Sequence, residues 1–384
     1  MLIINGQIYT MEENTYANGF VRVKGKHIDA VGDMSECPVT EYGEEILDVK
    51  GAWVMPGIIE AHCHIGIIEE KLGTMGDDCN EGTNPVTPEL RALDAVNPMD
   101  SAFHDAVKAG ITSVMVGPGS ANVVGGQFLL MKTYGRCIDD MVIKAPAAMK
   151  VAFGENPKTA YGDKDMYPST RMATAALLRQ TLFEAKQYMT DKVNEKLQQE
   201  DFKMEPWIPV LKREIPLKAH AHRADDILTA IRIAKEFEVD ITIDHCTEGH
   251  LIAEQIKASG FPAIVGPDLT SRSKPEVRYM EFKTAGILCD AGITTAITTD
   301  HPVSLSQYLP LCAGLAVKAG MPFEEGLKAI TVNAARICRA DERVGSLRGG
   351  KDADIAIFTG NPLEIMTETL WTVINGKIVY KGER

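Results

Sequence analysis

Seven apolar, strand-like runs recur through the middle of the chain, each followed by a polar or helical stretch, and this alternation limits the folds open to it. The runs are WVMPGIIEAH, ITSVMVG, AAMKVAFG, PLKAHAH, DITIDHC, PAIVGPD and TTAITTD. Between them, stretches such as Ala224 to Phe237 set Ile227, Ile231 and Ala234 on one helical face. Repeated βα units predict a parallel sheet. A closed (β/α)8 TIM barrel needs one more strand, and the segment near Phe128 to Tyr134 is expected to supply it. A long helix is expected from Ser169 to about Gln199, starting at a Ser or Thr cap, followed by an irregular insertion from Met204 to Glu214.

The two ends of the chain read differently. LIINGQIYT around Asn5-Gly6 and FVRVKGKHIDAVG around Gly25 read as hairpins, and DADIAIFTGNPL and LWTVINGKIVYKG repeat that character near the C-terminus. The expected organisation is therefore a small β-sandwich domain built from residues 1–55 and 336–384, flanking a barrel over residues 56–335. A length of 384 residues accommodates a barrel of roughly 250 residues with such a companion.

Composition excludes several classes. A net charge of -13 without a Lys/Arg-rich run disfavours nucleic acid as a partner. No apolar run reaches the ~18 residues that span a bilayer, and the N-terminus has no basic segment leading into an apolar stretch, so the expectation is a cytoplasmic protein without membrane attachment. The eight cysteines form no C-x-x-C pair, which fits free thiols.

The candidate chemistry gathers at the C-terminal ends of the strand-like runs, where a barrel places its active site. Six of the nine histidines, His62, His64, His220, His222, His245 and His301, lie at such ends or one residue past them, as does Asp300. Residues i and i+2 of a strand share a face, so His62 and His64 can offer a two-nitrogen chelate while Cys63 turns away. Imidazole with a carboxylate suits Zn2+ and its first-row neighbours, and Zn2+ is the expected ion. Cys63 and Cys246 adjoin these residues, and strand alternation assigns them to packing.

WVMPGIIEAHCH, LKAHAHRADDI, ITIDHCTEGH, ITTDHP and VGSLRGGKDADIAIFTGNPL together resemble the amidohydrolase superfamily, in its imidazolonepropionase-like group, almost end to end. The resemblance implies two divalent ions per chain. His62, His64 and Asp300 would serve one, His220 and His245 the other, with a carboxylate or carboxylated lysine between them. For that bridge AAMKVAFGENPK offers Glu155, the favoured choice, or Lys150. Position 60 is Glu where many members carry Asp.

The implied reaction is hydrolysis of a C-N bond in a small molecule: a non-peptide or cyclic amide, an N-acyl amino acid or an amino-heterocycle. A metal-activated hydroxide would attack, with Asp300 as proton shuttle. Gln127, His222, Arg223 and His301 are candidate substrate contacts, with Asn122, Arg272 and Lys274 as further ones. Competing readings are a dipeptidase, an esterase or lactonase on the same centre, and a non-catalytic scaffold. A homo-oligomer is compatible with this organisation.

Overall fold

A computed structural model describes residues 1–70 and 72–382. The N-terminal segment forms β1 (Leu2–Tyr9), β2 (Thr15–Lys24), β3 (His27–Asp33), β4 (Ile46–Asp48) and β5 (Trp53–Pro56). The middle of the chain supplies β6 (Ile58–Cys63), β7 (Ile111–Val116), β8 (Val124–Lys132) and β9 (Val142–Ala152). It continues with β10 (Leu217–Ala221), β11 (Ile241–His245), β12 (Ala263–Val265) and β13 (Thr295–Ile297). β14 (Ile355–Phe358), β15 (Thr369–Ile374) and β16 (Lys377–Lys381) return at the C-terminus.

The two ends of the chain do pair, through β14 antiparallel to β5, in the order β16-β15-β14-β5-β1-β2-β3 with β4 also on β1. The expected sandwich is thus one continuous hydrogen-bonded sheet. Its core gathers Ile3, Val21, Val54, Ile355 and Val373. Asn5-Gly6 is not a hairpin turn but a break in the β1–β2 register, with Asn5 at φ 58°. Glycine suits position 6 because a Cβ there would stand 2.7 Å from Val54. The run WVMPGIIEAH is likewise two strands, β5 in the terminal sheet and β6 in the barrel.

The second sheet follows the order β13-β12-β11-β10-β9-β8-β7-β6 and nearly closes. Its first and last strands are joined by Thr298 Oγ1 donating to the His62 carbonyl at 2.6 Å and by His64 N donating to the His301 carbonyl at 2.9 Å. Buried Glu60 adds a third tie, accepting from Thr299 N at 2.9 Å and Thr299 Oγ1 at 2.6 Å.

One part departs from a uniformly parallel barrel. The eighth strand is where the sequence placed it, but β8 runs antiparallel to both β7 and β9. A parallel crossover needs a dozen or more residues. The link from Gly117 to Val123 is too short for one, so the chain can only reverse. The long helix is Arg171–Val193, capped by the Thr170 side chain, and the expected insertion contains only short helical turns, Glu205–Trp207 and Ile208–Leu211. Among the described residues no helix is long and apolar enough to cross a membrane.

Candidate metal centre

β6, β10 and β11 are buried along their length, so a polar side chain at their ends must find partners within the protein. Two groups result. The ligand atoms of His62, His64 and Asp300 lie within 4.8 Å of one another, and so do those of His220, His222 and His245. The groups are adjacent, with the His62 and His245 ring centroids 5.0 Å apart and those of His220 and His245 4.5 Å apart.

Local backbone geometry aims these groups. His245 has φ 71° and Asp300 φ 53°, left-handed conformations that cost energy in a non-glycine residue and concentrate at functional sites. The turn at His245 also ends regular alternation. Asp244 therefore reaches His62 Nδ1 at 2.7 Å, although it precedes a residue that belongs to the centre. Lys218 supports it from below, with Nζ 3.1 Å from Asp244 Oδ2. Neither Asp244 nor Lys218 is marked out by the strand-end histidine pattern. A carboxylate beside a histidine at a strand end is the signal that could have found Asp244.

Most of the imidazoles are fixed through Nδ1. His64 Nδ1 contacts the Gly117 carbonyl at 2.7 Å, His245 Nδ1 the Gly266 carbonyl at 2.9 Å, and His222 Nδ1 the Thr247 hydroxyl at 2.7 Å. These bonds leave Nε2 available as an electron-pair donor, the arrangement metal-ligating histidines adopt. Asp300 Oδ1 and His220 Nδ1 are buried without a hydrogen-bond partner. The orphaned Asp300 oxygen is what a cation would satisfy, and together with the imidazoles it makes a donor set that fits a divalent metal.

The electrostatics separate one histidine from the rest. Burial holds His62, His220, His222 and His245 well below the ordinary imidazole value, hence neutral. Burial acts the same way on His64, but Cys79 and Asp300 beside it outweigh that and raise it to about 10. Burial also opposes ionisation of Asp300, yet His245 and His64 hold its carboxyl below the usual range. Lys150 is fully buried and pushed down to about 8 by that burial, with Nζ 3.3 Å from His62 Nε2.

Several sequence-based assignments change. Glu155 belongs to neither group. It opens the helix Glu155–Gly162 after the turn at Gly154, and its backbone N–H donates to Glu276 Oε2 at 3.0 Å. Lys150, the other candidate for the bridge, lies with its Nζ 3.3 Å from His62 Nε2. His222 joins the ligand atoms of His220 and His245.

Gln127 does not reach the histidines. Its Nε2 donates to the Pro88 carbonyl at 3.0 Å, and it pairs with Arg91, while its strand neighbour Phe128 lies against the His62 ring. Arg223 is half-exposed and forks onto Asp225 at 2.8 and 3.0 Å, and Asn122 bonds Thr87 and Tyr161. Arg272 donates to the Met280 carbonyl. His301 is buried, with Nδ1 accepting from Ser306 N at 3.2 Å and Nε2 unpartnered. The Cys63 thiol turns to the Met115 carbonyl, and buried Cys246 packs beside Gly249.

The amidohydrolase family model matches residues 211–380. A crystal structure of an amidohydrolase from Thermotoga maritima MSB8 is 38% identical, with a TM-score of 0.95 over 99% of this chain and 100% of that one. Amidohydrolase tasK of Hapsidospora irregularis is 27% identical over 89% of this chain, which spans only 38% of that protein. Imidazolonepropionase of Klebsiella pneumoniae (strain 342) is 22% identical over 94% of this chain and 91% of its own length. At 38% identity over essentially the whole of both chains, the protein belongs to the amidohydrolase family and is a hydrolase of carbon–nitrogen bonds, with similarity to imidazolonepropionases over most of its length.

Proposed function

We propose that the centre holds two divalent ions, Zn2+ in the first instance, and that the protein hydrolyses a C-N bond in a small molecule such as a cyclic or non-peptide amide, an N-acyl amino acid or an amino-heterocycle. The observation that carries this reading is the pair of adjacent ligand groups, His62, His64 and Asp300 beside His220, His222 and His245. Lys150 replaces Glu155 as the residue between them. Its amine stands 3.3 Å from His62 Nε2, and a lysine brought down to about 8 has a neutral fraction able to take up CO2 as a carbamate.

A bound ion would supply Lewis acidity, polarising the scissile carbonyl and making a water nucleophile available near neutral pH. The protein supplies the proton handling. Asp300, ionised by its histidine neighbours and 3.3 Å from His64 Nε2, accepts the proton of the attacking water and returns it to the leaving nitrogen. His301 is pushed down to about 4 by burial and is therefore neutral. Since its Nδ1 accepts from Ser306, the proton sits on Nε2, which is left as a donor for a substrate oxygen. Asp244 and Lys218 keep His62 in one tautomer and one orientation.

The test is elemental analysis of the purified protein, followed by amide, deaminase and ester substrate panels run side by side with and without a chelator. About two equivalents of metal and chelator-sensitive release of amine or ammonia are expected. Turnover confined to esters would replace the C-N assignment, and the absence of bound metal after reconstitution would remove the metal reading.

A further inference from the structure

The strand-end pattern gives no sign of Glu276, yet this residue stands against the second histidine group. It lies in the short turn Pro275–Val277 after β12 and is 1% exposed. Its Oε1 is 3.7 Å from both His220 Nε2 and His222 Nε2. Its Oε2 is anchored by the Glu155 N–H at 3.0 Å. Gly154 makes room for the carboxylate: its φ is +82°, and a Cβ there would stand 2.7 Å from Glu276 Oε2.

The arrangement is electrostatically incomplete. The Nε2 atoms of His220 and His222 converge on one buried carboxylate oxygen, with the Asn156 amide 3.4 Å from His220 Nε2, and a cation is the group that such a convergence of donor atoms would hold. Lys274 partly fills that role, with Nζ 2.7 Å from Glu276 Oε1 and 3.0 Å from Asn156 Oδ1. The charge balance of the two groups also differs. The first contains Asp300, whereas the second as grouped contains only imidazoles. Apart from the charge it would share through a Lys150 carbamate, an ion in the second group has no carboxylate of its own to offset its desolvation.

We propose that Glu276 is a direct ligand of the ion held by His220 and His222, and that the Lys274 ammonium is the counter-ion it exchanges for that metal. This rests on the reading that the histidine groups bind metal. Glu276 supplies the carboxylate that the second group as grouped lacks, from a loop rather than a strand end. Lys274 keeps the carboxylate paired when no ion is bound, and it competes with the ion for it.

The two residues therefore have effects of opposite sign. Metal stoichiometry and chelator competition are measured on the full chain for the parent, Glu276→Gln and Lys274→Met, together with visible spectra of the Co2+-substituted forms and thermal melts. Glu276→Gln is expected to retain the equivalent held by His62, His64 and Asp300, to weaken the other by about 100-fold, and to alter the Co2+ bands. Lys274→Met is expected to tighten that same equivalent by roughly tenfold, since it removes a competing charge. Unchanged second-site affinity and spectrum in Glu276→Gln would overturn the proposal. Should Glu276→Gln fail to fold, unchanged or weaker second-site affinity in Lys274→Met would overturn it instead. A parent chain that takes up no ion fails at the earlier step, taking the metal reading and this one down together.

Discussion

The two histidine groups are neighbours built from different materials. In the first, His62 is held by a buried carboxylate, itself paired with a buried lysine, and His64 by a backbone carbonyl next to β7. In the second, Thr247 and Gly266 hold His222 and His245 from the loops after β11 and β12, while His220 Nδ1 has no partner. Charged partners rooted in strands fix a ligand's tautomer and position more firmly than hydroxyls and loop carbonyls. The first group is thus the more preorganised, and the second depends more on what its loops supply.

The largest expected effect lies in the first group. Asp300→Asn should lower turnover by about 10²–10⁴-fold with metal still bound in the second group, measured as kcat beside metal content. An undiminished rate would remove the proton-shuttle role. Next, Asp244→Asn should weaken metal at the first group by about 10–100-fold in chelator competition, leaving the second unchanged. Equal losses at both groups would mean that they do not act as separate units.

Protonation gives a third contrast. His64 carries a proton below about 10, so binding at the first group at pH 7 must release it. Affinity there should fall roughly tenfold for each unit of pH lost below that value. The second group's histidines are already neutral, so none of them has a proton to release when an ion binds, and its affinity should fall less steeply with pH than that of the first. Calorimetry in buffers of different ionisation heat reads the released proton, and its absence at the first group would show that His64 is neutral. The smallest effects belong to residues that do not reach either group. Gln127→Ala and Arg223→Ala should each change kcat/KM by less than about threefold, which is under ~1 kcal/mol. A larger loss in either would place substrate outside the histidine groups.

The sequence could show which side chains sit at strand ends, because alternation and helical spacing are local. His62 and His64 share a face on that ground, and Ile227, Ile231 and Ala234 are buried as their spacing requires. Direction was less legible. The apolar run of β8 looks the same read either way, and only the length of the preceding link forces the reversal. Glu155 misleads for a similar reason: its motif is intact, but the backbone turn at Gly154 carries it into a helix and leaves Lys150 facing His62. Asp244 is hidden because alternation should separate it from the side to which His245 belongs, until the left-handed turn at His245 breaks the rule.

The sequence by itself determined the barrel-like alternation, the pairing of the two chain ends, and the set of polar residues available to a metal. Only the tertiary structure decided which of them meet: His222 with His220 and His245, Lys150 with His62, Glu276 with His220, and Asp244 with a histidine 182 positions away. Local spacing governs which face a residue takes. Strand register, barrel closure and a few left-handed residues at strand ends govern the distances between such faces, and the period of a sequence carries none of these.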